Sequence, residues 1–513
     1  MKIRSTRHVV ALFAALSLAL TACAGAGGES GGDGEPQRGG TLTYLVSGDL
    51  ASLDPGKLVG GASSSAPTYA LFDALLVINA KTGEVEPKLA TSLTPDKSAM
   101  TWTLELRKDV EFSDGTPYDA AAVKYNWERA AKLKGSLVTD AVAPIKRMTV
   151  KSPSELEIEL SAPNSAFDRV VARRLWMIGS PTAIKKAGDE VDTKPVGAGP
   201  FVLKKWVRDS TKTFIRNENY YDAPRPYVDN LTIQVAPDTS QSQTLLRSGG
   251  ADMGVYWDAG VVEKLTSEGL QASKTLNPGA PNLAMNINKA PFDDPRVRRA
   301  VALAVDTEQA AKVVPGFVPA AAPFPNKAEY NYGMTWPEPD PKEAQKLFDE
   351  YAAEHGGTVE FTIGAFQDPG NQAEVKYLQA VLNEFDNVKV EVNVQAAATA
   401  VGNVLSQNYQ AHTWGSPWWT PADLSTYLRT GASFNVFGFS DPAVDKALDK
   451  AQSTTDPEVQ NEAYKIVVEA LVTGLPMVAY GAREIGNVYT DEVHDVKVSG
   501  DGLVYFEQIW KNQ

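Results

Sequence analysis

Cysteine is almost missing from this chain: Cys23 is the only one in 513 residues. No disulfide can form within the molecule, and past residue 23 no thiolate is available as a nucleophile or a metal ligand. Stability must come from apolar burial instead. Histidine is nearly as scarce, with four in all, three of them (His355, His412 and His494) beyond the N-terminal segment. A serine or cysteine nucleophile needs a base within hydrogen-bond reach, so that chemistry has few candidates here. The chain also lacks a G-x-S-x-G elbow, an H-E-x-x-H helix, a Walker loop and paired C-x-x-C knuckles. Positive charge is in deficit, 49 Lys and Arg against 63 Asp and Glu, for a formal charge of −14. That excess repels phosphates and argues against nucleic acid or an anionic lipid surface as partner. Past the N-terminus no apolar run approaches the roughly 18 residues that a membrane-spanning helix needs. No cofactor is expected.

What is present begins at the N-terminus. Lys2, Arg4 and Arg7 precede an apolar run, Val9 to Leu20 broken only by Ser17, that ends in Leu20-Thr21-Ala22-Cys23. A basic start, a short apolar segment and small residues before a cut site describe an export signal over residues 1–22. The cysteine after the small pair resembles the lipobox of bacterial lipoproteins, in which that cysteine carries lipid and becomes the mature N-terminus. An ordinary cleaved signal with an incidental cysteine is the alternative. Removing residues 1–22 strips three cations and takes the formal charge from −14 to −17. Residues 23–40 are Gly-rich and polar and cannot bury enough surface to fold, so they read as a tether. The expected location is the outer face of the cytoplasmic membrane, with the body held there through Cys23.

The remaining length exceeds the ~250–300 residues of a single core, so two or three lobes are expected. Thr41–Val46, Thr101–Arg107, Leu156–Leu160, Leu231–Val235 and Val388–Val394 alternate apolar and polar residues and read as strands. Helices are expected at Tyr69–Val77, Ala120–Lys132 behind an Asp119 cap, Gln241–Ser248 and Pro295–Val305. Further ones are expected at Pro341–Ala353, Asn371–Glu384, Pro442–Gln452 and Pro457–Val472. Turns fit Asn79–Gly83 and Asp114-Gly115. Strands and helices alternate from end to end without a tandem repeat, which indicates mixed α/β lobes.

Several segments, in order, are similar to family 5 of the bacterial extracellular solute-binding proteins, the peptide, dipeptide and nickel group serving ABC importers. They are Gly39-Gly-Thr-Leu-Thr, Leu53-Asp54-Pro55, the stretch from Glu86-Pro-Lys-Leu-Ala through Leu104–Pro117 to Ala121-Ala-Val, and Val196-Gly-Ala-Gly-Pro-Phe. Asn219-Tyr-Tyr, Gly249-Gly-Ala-Asp, Phe292–Val301 and Asp441-Pro-Ala-Val-Asp complete the set. The resemblance implies an α/β fold of the periplasmic-binding-protein-like kind (type II, cluster C), with three lobes and a ligand cleft between lobes I and III. Lobe I would comprise 41–73, 192–278 and 484–513, lobe II 74–191, and lobe III 279–483. It further implies a monomer that hands a small solute, foremost a short peptide, to two permease subunits driven by cytoplasmic ATPases. A metal chelate or an oligosaccharide is the alternative cargo. A secreted glycoside hydrolase is the enzymatic rival, since 63 acidic residues offer many carboxylate pairs.

Ligand contacts are expected first at the loop His412–Asp423, where Trp414, Trp418 and Trp419 crowd together with Gly415 and two prolines. Indoles offer a broad apolar face and an N–H donor. In peptide-binding members an aspartate three residues after the matching tryptophan pairs with the ligand amine. Pro417 stands there and carries no charge. The Thr-Trp-Gly-x-Pro-aromatic pattern resembles the nickel branch, yet no histidine lies between His412 and His494. No metal site is expected. Arg173 and Arg174 lie in a segment that approaches the cleft in relatives, and a guanidinium can hold a carboxylate through two parallel bonds. Tyr256, Trp257 and Asp258 follow the Gly-Ala-Asp motif at a connection that faces the cleft in relatives. Asp49, before the Leu-Asp-Pro turn, is placed to meet a cation. Asn286 is expected to satisfy backbone groups.

Overall fold

The structure is a computed structural model. It describes residues 35–512 except 59–61, 278–280, 315, 326, 368 and 417. The export segment, Cys23, most of the tether and Pro417 lie outside the described residues.

Thr41–Val46 is the organising strand of the largest sheet. It pairs in parallel with Asn230–Val235 on one side and Met253–Tyr256 on the other. The sheet continues antiparallel through Thr211–Arg216 to Phe201–Val207, and in the other direction through Ala482–Tyr489 to Gln271–Asn277. A short strand, Phe317–Val318, also pairs with Ala482–Tyr489. The second sheet runs Val388–Gln395, Val359–Phe366, Ala411–Trp414, Asn282–Met285, Met477–Ala479, and the third is an antiparallel set, Ala90–Pro95, Thr101–Leu106, Glu155–Leu160, Ile145–Ser152. The chain passes from the first sheet to the second between Asn277 and Asn282, touches the first again at Phe317–Val318, and returns to it between Ala479 and Ala482.

Period-2 patterning explains the third sheet. Trp102, Leu104 and Leu106 are buried on one face with Leu156, Ile158 and Leu160, because alternate side chains of a strand share a face. The helix Ala120–Ala130 covers that face, and the Asp119 carboxylate accepts from the Ala122 N–H at its start. The other expected helices form with ends displaced by at most two residues. One differs. Tyr69–Val77 does not continue as a helix: the helix spans Ala62–Phe72, and Leu76–Ile78 is a strand paired with Val85–Pro87 around the Asn79–Gly83 turn. Asp73 adopts φ 55° and ends the helix, a cost which a buried cap can bear.

The Val196-Gly-Ala-Gly-Pro-Phe motif has a steric reason at the same place. The Gly199 N–H donates to the Leu71 carbonyl at 2.8 Å. A Cβ at Gly197 would sit 2.0 Å from the Leu71 carbonyl oxygen. Gly197→Ala is therefore expected to destabilise the protein by about 1–3 kcal/mol, seen as a lowered thermal midpoint, whereas Ala198→Gly should cost less.

Beneath this corner, Lys88 Nζ lies 2.6 Å from Glu507 and 4.0 Å from Asp73, both fully buried. The Tyr69 hydroxyl donates to Glu507 at 3.1 Å and the Tyr220 hydroxyl to Asp73 at 2.8 Å. Three segments distant in sequence meet at one ammonium.

Candidate functional site

Trp414 ends the strand Ala411–Trp414, opposite Asn282 in the antiparallel pair. Its ring stacks on Phe366 with centroids 5.8 Å apart and planes at 24°, and meets His412 edge-on at 6.2 Å. The indole is half-buried and lines a cavity of about 610 Å³. That volume lies in the range of small-molecule sites. The opposite wall comes from the helix Phe167–Val170, which widens into a π turn at Val171–Leu175. Such turns are rare and frequent at functional sites.

Arg169 and Arg173, one helical turn apart, both reach Asp423. Arg169 Nε and Nη2 each lie 3.3 Å from an Asp423 oxygen, and its Nη1 donates to the Gly83 carbonyl at 2.7 Å. Arg173 Nη1 touches Asp423 at 3.4 Å, and its guanidinium lies 4.5 Å from the Trp419 ring centre. Asp423 also accepts from the backbone N–H groups of Trp419 at 2.8 Å and Thr420 at 2.9 Å. Burial opposes its charge, but Arg169, Arg173 and these donors outweigh burial and hold the carboxyl down at about 2. Arg174 turns the other way. Its Nη1 and Nη2 donate to the two oxygens of Asp140 at 2.5 and 2.7 Å, and Nη2 also reaches the Leu137 carbonyl at 2.8 Å. Phe167, Val170, Tyr427 and Phe434 are among the apolar residues of the lining.

The sequence-expected residues separate into three groups. Trp414, Arg173 and Arg174 line this cavity. Trp419 is half-buried beside it, under Arg173. Trp418, Tyr256 and Asp49 are corrections. Trp418 is fully buried against Phe324 and Tyr427, and its indole N–H donates to the Pro323 carbonyl at 2.8 Å, so both its face and its donor are committed to the core. Tyr256 is buried under the first sheet with its hydroxyl 2.7 Å from Ser242. Asp49 is not an exposed carboxylate awaiting a cation. It pairs with the buried ammonium of Lys212 and accepts from the Trp206 indole and the Asp209 N–H. Trp257 is half-buried against the first sheet's core, and Asp258 caps the helix Ala259–Ser267. Asn286 donates to the carbonyls of Gln407 and Tyr409, as expected.

Asp423, Asp140 and Arg169 escaped sequence reasoning. A signal existed for the first: Thr420-Pro-Ala-Asp423 is a capping box, and it forms around the short helix Pro421–Leu424. The Arg169/Arg173 spacing would have pointed to one shared partner. Among the described residues, no group of three or more His, Cys, Asp or Glu is arranged to hold a metal ion, and no helix is long and apolar enough to cross a membrane.

Residues 84–436 match the bacterial extracellular solute-binding proteins, family 5 Middle. The chain belongs to this family. The family consists of substrate-binding transport proteins that work with ABC permeases, and this binding protein is the solute-binding component of an ABC importer. It is 27% identical over 446 residues to the glutathione-binding protein GsiB of Pectobacterium atrosepticum, covering 82% of this chain and 84% of the relative. Its fold is that of type II periplasmic binding proteins. The binding protein AgaA from A. tumefacien R10, in complex with agropinic acid, superposes with TM-score 0.80 at 23% identity, over 92% of this chain and 99% of that one. The periplasmic binding protein DppA from Helicobacter pylori, in complex with the peptide STSA, gives TM-score 0.77 at 22% identity, over 93% and 99%.

Proposed function

We propose that this binding protein captures a short peptide and holds its carboxylate end in the cavity between Trp414 and Arg173. One observation carries the reading: a stacked, half-buried indole and a guanidinium lacking a bidentate carboxylate partner face the same 610 Å³ space. An indole face buries the flat or apolar part of a solute, and a guanidinium recognises its carboxylate. The DppA and GsiB likenesses support a peptidic cargo. Pro417 supplies no charge for a ligand amine, and the two carboxylates lining the cavity, Asp140 and Asp423, are both paired with arginine. This favours a second reading, an organic acid or a carboxylate-rich chelate without an amine.

Calorimetry with the full chain separates them: a peptide and its N-acetylated form should bind alike, and C-terminal amidation should weaken binding at least tenfold. Trp414→Ala is expected to weaken peptide binding 10- to 100-fold, about 1.4–3 kcal/mol. An affinity within twofold of wild type would remove Trp414 from the site.

The proposal extends to the setting. Cys23 carries lipid, residues 23–40 tether the body to the outer face of the membrane, and the protein works as a monomer without chemical turnover of its solute. Its lobes are 41–73 with 192–278 and 484–513, then 74–191, then 279–483. The cavity is lined from the second and the third, not from the first and third between which the resemblance places the cleft, so closure about the solute would bring the second and third together. A ligand drives such closure only through higher affinity for the closed form.

A further inference from the structure

The five charged residues lining the cavity are three arginines and two aspartates, and the arginines are not equivalent. Arg169 is buried and committed to Asp423 and the Gly83 carbonyl. Arg174 is engaged through both terminal nitrogens by Asp140. Arg173 has one long contact to an Asp423 oxygen, a hydrogen bond with the Tyr427 hydroxyl and the Trp419 face. Asp501, outside the lining, is a further acid near enough to interact with Arg173 and Arg169, with its own carboxyl pushed up by burial. The lining thus carries one positive charge more than its own carboxylates neutralise, and that excess sits at Arg173.

The Asp140–Arg174 pair differs from the Arg169–Asp423 pair in where it lies. The Asp140 side chain is 43% exposed and Arg174 23%, against 5% for Asp423. A partly exposed pair adds little to stability, so its two bonds are poorly explained as a fold requirement. What they do accomplish is to occupy a guanidinium in the cavity wall, and a guanidinium so occupied has no free fork for a second carboxylate.

We infer that Asp140 is a specificity-determining residue: by masking Arg174 it restricts the cavity to solutes that present one carboxylate and rejects those that present two. This rests on the reading of the cavity as the solute site. Rejection by a built-in competing charge is a general route to specificity, in which the unwanted partner meets a group it cannot satisfy.

The test uses the full chain and three tripeptides differing in carboxylate count: Ala-Phe-Ala amide, Ala-Phe-Ala and Ala-Phe-Glu. Calorimetry on wild type should rank Ala-Phe-Ala at least tenfold above each of the others. In Asp140→Asn the affinity ratio of Ala-Phe-Glu to Ala-Phe-Ala should rise at least tenfold. Adding Arg174→Gln to that variant should return the ratio to its wild-type value, which a merely structural effect of Asp140 would not do. If wild type prefers Ala-Phe-Ala and Trp414→Ala abolishes that binding, but the ratio in Asp140→Asn stays within threefold, the inference is wrong and the cavity reading stands. If wild type binds none of the three, or binds Ala-Phe-Glu best, both fall.

Discussion

Replacing Asp423 by alanine is expected to cost about 3–5 kcal/mol of stability, the usual consequence of leaving one member of a buried ion pair without its partner. The guanidinium of Arg169, itself buried, would keep only the Gly83 carbonyl among its present hydrogen-bond partners. The backbone N–H groups of Trp419 and Thr420 would lose their acceptor at the same time, and an orphaned buried donor costs a further ~1–3 kcal/mol. A milder result is expected for Arg169→Met with Asp423→Leu, because both charges of the buried pair leave together and only the Trp419 and Thr420 N–H groups and the long Arg173 contact lose their acceptor. The pH dependence follows from the carboxyl's depressed value. A carboxyl held at about 2 in the folded protein, against roughly 3.9 in the unfolded chain, contributes fully above ~pH 4. That contribution fades as pH falls toward 2. Thermal scans of wild type and Asp423→Ala should therefore diverge at neutral pH and converge only in strong acid. Equal midpoints at pH 7 would show that the pair contributes nothing.

A second large loss is expected for Lys88→Met, again about 3–5 kcal/mol. Its ammonium is the cation between Asp73 and Glu507, and Glu507 Oε2 already has no hydrogen-bond partner. Even with Lys88 present, one cation serves two carboxylates. Burial pushes the Asp73 carboxyl up, and Glu507 adds to the rise, while Lys88 and the Tyr220 hydroxyl oppose it; the outcome is about 6. The sign is opposite to that of Asp423. A raised carboxyl binds its proton more tightly in the folded state, so wild-type stability increases as pH falls from about 6 toward the unfolded value near 3.9. Lys88→Met should deepen this trend, with its largest deficit above pH 7. Asp73→Asn should flatten it. Midpoints of wild type and Asp73→Asn that run parallel from pH 4 to 7 would contradict the assignment.

The elements were legible in sequence wherever one local signal dominated. The strands Thr101–Leu106 and Glu155–Leu160 alternate without interruption, and the late helices open on Asp-Pro pairs whose carboxylates cap them. The end of the helix Ala62–Phe72 is not legible in the sequence because it is set from outside. Tertiary packing against Gly197 and Gly199 stops it, and no nearby residue announces that.

The site was legible only in part, for a similar reason. Three tryptophans within six positions mark an important loop, but local sequence does not say which indole turns inward. Trp418 was drawn into the core by Phe324, Tyr427 and the Pro323 carbonyl, a partner 95 residues away. Asp49 looked available because Lys212, 163 residues on, is invisible to local reading. Asp423 and Asp140 do not stand out in the sequence because acidic residues are abundant, and their meaning depends on arginines from another part of the chain.

The order of strands in the largest sheet bears on when, during synthesis, the protein can fold. Ala482–Tyr489 lies inside that sheet, between Gln271–Asn277 and Met253–Tyr256, although it comes from near the C-terminus. While the ribosome is still making residue 400, the sheet has a missing plank in its interior, and the strands on either side have no common neighbour. Contacts this distant in sequence form late. The nascent chain is thereby kept from locking early, and the complete sheet can close only when synthesis is nearly finished.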